Sequence, residues 1–278
     1  MKLKFKFLRS LFFISFLFHF SCSPKTKTQT ALRIISLSPA VTEILYAIKA
    51  DNRLVGVTSY CDWPPGARLK EKVGDFSNPS IEKIASLKPD IILAAGDGQG
   101  RTIRRLIDIG YPVKTYQPEN ITDLFSEIIE IGNIMGKGKE SSKLVRKMKE
   151  EIKKLPKKQG KTVFIEVCSK PLIAAGKKSF LTSVCGAVGL HNICDFPQSY
   201  PQVSVEWLIK KKPEVILLTG TGEKEFLSLY PFFDKTLIIS GINPDILVRP
   251  SPRIIEGMWE LVWRLSEAAS KPEKNDKK

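Results

Sequence analysis

The 278-residue sequence predicts an α/β protein of two similar lobes with parallel sheets, joined by one long interdomain α-helix. Three observations point there: a segment that occurs twice, an apolar run inside each copy, and a charged helical stretch between the copies. Residues 80–98 read SIEKIASLKPDIILAAGDG, and residues 204–222 read SVEWLIKKKPEVILLTGTG. At an offset of 124, eight of nineteen positions are identical, where composition alone would give about one. The shared residues include Ser80/Ser204, Glu82/Glu206, Lys88/Lys212 with the prolines that follow, and Gly96/Gly220. Each copy reads as an amphipathic helix stopped by Lys-Pro, then a short strand, then a Gly-rich turn. The four-residue apolar runs 91–94 and 215–218 fit parallel strands covered on both faces.

Residues 1–21 read as an export signal. Lys2, Lys4, Lys6 and Arg9 make the charged start, and LFFISFLF (11–18) is too short an apolar run to span a bilayer comfortably. Cys22 follows the small Ser21, and residues 22–31 look like a tether. The pattern resembles a bacterial lipoprotein signal, in which the Cys becomes the lipidated first residue. Phe20 and Phe18 depart from it, standing where a small residue and Leu are usual. The expectation is an exported, periplasmic chain, lipid-anchored to a membrane.

The first lobe is expected over residues 32–135. Its strands are 33–37, 54–57 and 111–115 besides the repeat, and Ser38-Pro39 opens the first helix. A loop, TSYCDWPPGA (58–67), carries Tyr60 and Trp63 and is closed by two prolines. Residues 120–155 are helical in pattern and broken only by GKGK at 136–139. Leu144, Val145, Met148, Ile152 and Leu155 form an i, i+3/i+4 stripe, so residues 139–156 are expected to be the connecting helix. The second lobe, residues 160–269, should hold a strand at 162–167, a turn at 171–177, helices from 179 and 253, and a strand at 236–239. A charged tail, 270–278, completes the chain.

The net charge of +15 falls to about +11 without the four leader cations. The excess lies in 137–161 and 271–278, without interleaved aromatics, and reads as solvated helix faces rather than a nucleic-acid surface. Four cysteines follow the leader and Cys22, and their spacing matches no zinc motif beside the one remaining histidine, His191. Cys185 and Cys194 are near enough in sequence to form a disulfide in an oxidising compartment. Cys61 and Cys168 could line a cleft, although buried inert thiols are the simpler reading.

Catalytic chemistry is missing. GDGQG (96–100) lacks the dinucleotide spacing, and no P-loop lysine follows it. There is no G-x-S-x-G elbow, no base partner besides a loop histidine, and no carboxylate pair for acid/base work. The chain is read as a binding protein, not an enzyme, with no cofactor and no metal site.

Several segments then carry a resemblance: RIISLSPAVTEILYAI, VGVTSYCDWPP, KVGDFSNPSIEKIASLKPDIILA, AAGKKSFLTSVCGAVG, YPQVSVEWLIKKKPEVILLTG and VRPSPRIIEG. Together they resemble the substrate-binding proteins of ABC importers with a rigid helical backbone (cluster A-II, class III), and among these the members that bind vitamin B12 (cobalamin). The likeness runs from about residue 33 to about 268. It implies two Rossmann-like lobes clasping a corrinoid, with haem or a ferric siderophore as the alternative ligand. It places ligand contacts on Tyr60, Trp63, Phe76 and Tyr200, with Asp245 and Arg249 reaching polar groups of the ligand. It also implies that Glu82 and Glu206 dock into an ABC permease dimer, one carboxylate per lobe, and that the chain acts as a monomer. Ala95 stands where relatives can have Trp, and Ile173 or Ala174 where they have Phe, which shrinks the aromatic surface. Val262 replaces the cysteine that partners the equivalent of Cys185 in near relatives. A surface interaction lipoprotein, or an enzyme on the same fold, is the rival from another class.

Overall fold

The computed structural model describes residues 32–96, 99–156 and 160–270. The leader, Cys22, its tether and the tail from 271 lie outside them. The first lobe runs β1 (Ile34–Ser36), α1 (Pro39–Ala47), β2 (Leu54–Val57), α2 (Pro65–Arg68), α3 (Ile81–Ser86), β3 (Ile91–Ala95), α4 (Gly100–Asp108) and β4 (Val113–Tyr116). Its sheet has the order β2-β1-β3-β4, all parallel. The crossing is made by α5 (Ile121–Ile134) and α6 (Gly138–Lys154).

The second lobe contains β5 (Thr162–Ser169), β6 (Leu172–Ala174), α7 (Phe180–Ala187), β7 (His191–Asn192), α8 (Val205–Lys211), β8 (Val215–Leu218), α9 (Glu223–Leu229), β9 (Leu237–Ile239), α10 (Pro244–Leu247) and α11 (Ile254–Ser270). Here the order is β6-β5-β8-β9, with β7 parallel to β5 and β6 antiparallel to it. The strand β6 occupies what reads in sequence as a plain turn.

The repeat becomes the same unit twice. Ser80 and Ser204 cap α3 and α8 by accepting from the N–H three residues on, both at 3.2 Å. Each helix ends in a left-handed lysine, Lys88 at φ 46° and Lys212 at φ 48°, directly before proline. The strands that follow, β3 and β8, are paired on both edges. Alternate residues of each face opposite ways: Ile92 and Ala94 enter one apolar cluster and Leu93 another, as do Ile216 and Val215. That is why their sequence is apolar throughout rather than alternating.

The expected connecting helix is α6. The chain turns at Gly136, whose φ of +63° suits glycine, so α5 and α6 lie against each other as a pair. A side chain on Gly132 would strike Ser141, so glycine there lets the two helices pack closely. The expected stripe is the buried one: Val145, Met148 and Leu155 join the core, with Leu144 and Ile152 against it.

One apolar cluster passes through both lobes. It holds Ile34, Ile44 and Leu93 of the first, Leu124, Ile128 and Met148 of the crossing, and Ile165, Leu217 and Leu261 of the second. Separate clusters cover each sheet's other face.

The expected Cys185–Cys194 disulfide is not formed; both are free thiols. The sheet explains it, because Cys185 lies in the shared core and Cys194 in the cluster on the opposite side of β5. Burial pushes the Cys185 thiol up to about 12.

A methyl group on Gly220 would collide with the Val167 backbone, which cannot move aside, whereas one on Gly222 meets nothing. Gly220→Ala is therefore expected to cost about 1–3 kcal/mol in urea unfolding, and Gly222→Ala to stay within about 0.5 kcal/mol of the parent.

Candidate functional site

Between the lobes lies a cleft cavity of ≈ 280 Å³. Its first-lobe wall is the start of α1 (Ser38, Pro39, Val41), Phe76, Ala95 at the end of β3, Tyr116 at the end of β4, Gln117 after it, and Glu127 of α5. Its second-lobe wall is Lys178, Phe180, Ser199, Tyr200 and the segment from Val248 to Pro250. The strand ends place the polar residues here, since parallel sheets turn their C-terminal loops toward the crevice. Two of the expected aromatics, Phe76 and Tyr200, thus face one cavity from opposite lobes, and Arg249 joins them.

Other expected residues are placed differently. Tyr60 is 58% exposed and lies outside the cavity wall, in the loop that also carries Asp62. Trp63 lines a second depression with Tyr46, Pro252 and Arg253, and the Arg253 guanidinium sits 4.7 Å from its ring centre. Asp245 does not line the cavity; it binds Arg249 at 2.8 Å. Cys61 is buried and contacts Thr58 Oγ1 at 3.2 Å, and the Cys168 thiol turns to the Lys170 carbonyl. Neither lines the cleft. No group of three or more metal-binding side chains occurs among the described residues.

Sequence reasoning missed two residues that hold the walls. Glu43 reads as an ordinary acid on the first helix, yet it is 4% exposed and faces the second lobe. Its carboxylate takes both Arg253 nitrogens, at 2.6 and 2.9 Å, and the Ser251 hydroxyl at 2.6 Å. Arg249 reaches the same carboxylate at 3.4 Å and Asp62 at 3.0 Å. Burial raises the Asp62 carboxyl, but the Arg249 hydrogen bond and charge outweigh it and leave Asp62 below its ordinary value.

Gln99, inside the GDGQG turn, is the second. Its amide donates to the Leu37 and Phe76 carbonyls, both at 2.8 Å, and accepts from Ala95 N–H. The turn thus braces the loop bearing Phe76. Nothing local in the sequence marks either residue, because their partners lie up to 210 positions away.

Glu82 and Glu206 are exposed at matching positions in the first turns of α3 and α8. Backbone N–H groups, then the capping serines, hold both carboxyls below their ordinary values.

Removing the Glu43 carboxylate takes from Arg253 the carboxylate it is paired with at the lobe interface. Glu43→Ala is expected to lose about 3 kcal/mol or more of stability in urea melts at neutral pH; a change under about 0.5 kcal/mol would show that the cluster is not a clamp.

Comparison with known proteins agrees with this architecture. The family described as "Periplasmic binding protein" matches residues 34–231. An uncharacterized ABC transporter substrate-binding lipoprotein of Bacillus subtilis (strain 168), YvrC, is 30% identical over 82% of this chain and 78% of its own length. The crystal structure of the periplasmic vitamin B12 binding protein BtuF of Vibrio cholerae superposes with a TM-score of 0.70 at 27% identity, covering 86% of this chain and 98% of that one. The periplasmic heme binding protein HutB of Vibrio cholerae has the same fold, with a TM-score of 0.73 at 22% identity over 85% of this chain and 99% of its own. With two parallel-sheet lobes, a crevice between them and a match over most of its length, this chain belongs to the periplasmic binding protein family, whose members bind ligands rather than transform them.

Proposed function

We propose that this protein captures cobalamin or a related corrinoid between its lobes and delivers it to an ABC permease. The observation that carries the reading is that Phe76 and Tyr200 line one cavity from opposite lobes, with Arg249 on the same second-lobe wall as Tyr200. Aromatic faces suit a flat macrocycle, each burying on the order of 150–250 Å². At ≈ 280 Å³ the cavity is smaller than such a ring, so a bound macrocycle keeps one edge in solvent. The likeness to a vitamin B12 binding protein supports the corrinoid, and Ala95 on the wall leaves haem or a ferric hydroxamate as the rival.

Tyr60 and Trp63 do not line the cavity, and Asp245 acts by holding Arg249. Glu82 and Glu206, one on each lobe and both ionised, are the proposed contacts to the two permease subunits, since a symmetric partner offers two equivalent sockets. Cys22 is the proposed lipid attachment site. No helix among the described residues is long and apolar enough to cross a membrane.

Calorimetry against cyanocobalamin, haem and ferric hydroxamates tests the ligand. Heat with cyanocobalamin is the expected result, and Tyr200→Ala should weaken it by about 10-fold, roughly the burial of part of one aromatic face. A haem Soret shift without corrinoid heat moves the assignment to haem, and silence from every chelate favours an interaction protein.

Docking is read separately. Glu82→Ala with Glu206→Ala should abolish permease-dependent uptake in cells while the purified double variant still captures ligand; undiminished uptake would remove the docking role.

A further inference from the structure

The cleft is asymmetric in charge. Two cations line it, and both are already matched: Lys178 by Glu119 at 3.9 Å, and Arg249 by Glu43, Asp62 and Asp245. On the facing wall is Glu127, which has no cationic partner among the described residues. Its Oε1 accepts from the Gln117 N–H at 2.9 Å, and its other oxygen makes no hydrogen bond among the described residues.

The groups around it are mostly acidic or neutral. Asp123 and Glu130 stand one turn away on α5, and Glu130 itself holds Lys114 of β4. Tyr116, also from β4, is 6% exposed and lines the cavity, and its buried hydroxyl has no hydrogen-bond partner. Across the cleft are only Lys178 and Arg249, each with its own carboxylates. Burial, with the nearby Asp123 and Glu130 charges, raises the Glu127 carboxyl to about 7, against the pull of the Gln117 N–H.

We propose that Glu127 is a specificity-determining residue of the cleft, accepting the N–H of a neutral carboxamide on the ligand's rim and rejecting a rim that carries free carboxylates. This rests on the reading of the cleft as a macrocyclic chelate site, and it adds what the rim must be. A carboxylate brought beside Glu127 finds no unmatched cation and meets an ionised acid above neutrality. A carboxamide offers two donors to the open oxygen and carries no charge to desolvate. The preference is pH-dependent with a fixed sign: rejection is weak while Glu127 is protonated and grows as pH rises through about 7.

Calorimetry with two pairs of ligands separates this from the identity of the ring. One pair is cyanocobalamin and its monocarboxylic acid, formed by hydrolysis of one amide; the other is haem dimethyl ester and haem. The ligand carboxylates are largely ionised at both pH 5.5 and pH 8.5, so the pH change reports on the protein. In whichever pair binds, the affinity ratio of neutral to carboxylate form should widen by about 10-fold between the two pH values, and by less than about 2-fold in Glu127→Gln. A ratio that is flat with pH, or one that widens equally in the Gln variant, overturns the proposal while leaving the ring assignment to whichever pair gave heat. Carbon NMR of the Glu127 carboxyl in the free protein provides a ligand-independent check: a midpoint near 7 is expected, and one near 4.5 overturns the proposal. Heat from neither pair overturns both readings.

Discussion

The apolar cluster that runs unbroken from one sheet, through the paired crossing helices, to the other sheet is the constraint on which the cleft depends. Two lobes joined only by a strand could swing apart freely, whereas lobes that share buried leucines and isoleucines would have to expose them to do so. Closely packed interiors resist such partial opening. The Glu43 cluster adds direction to that constraint. A buried carboxylate on α1 receives two arginines and a serine from the segment before α11, so the second-lobe wall is held at one distance from the first. The cavity walls are therefore set before any ligand arrives, which limits the cost of ordering them on binding.

Much of the architecture could be read from the sequence, because its signals are local. The repeat gave both central strands and both Lys-Pro stops. The leucine and methionine stripe of α6 gave the helix that crosses. Signals of that kind depend on neighbours a few residues apart. The features that were not legible depend on partners far away. Glu43 looks like any helix acid until Arg253 is beside it, and Gln99 looks like part of a glycine turn until Leu37 and Phe76 meet its amide. The thiols of Cys185 and Cys194 are close along the chain but separated by the thickness of a sheet, a distance that sequence spacing does not record. At the site, Phe76, Tyr200 and Arg249 were found by family likeness and came together in the cleft, but Trp63 was drawn instead to the Arg253 guanidinium.

The division of labour in the cleft follows from its charges. Arginines near a binding crevice usually invite an anionic ligand, yet here each is consumed by carboxylates of the protein itself. What remains for a ligand is aromatic surface, the opening turn of α1 and a carboxyl whose protonation is poised near neutrality. On the reading proposed for the cleft, such a surface suits a large, uncharged, hydrogen-bonding rim better than a small anion.

The final helix has one more consequence, for how the chain comes to be folded at all. Met258, Leu261 and Leu265 of α11 lie in the same cluster as Ile34 near the start of the first lobe. The interior cannot be sealed until nearly the whole polypeptide is available to fold. A C-terminally shortened product would therefore leave apolar surface open in both halves at once.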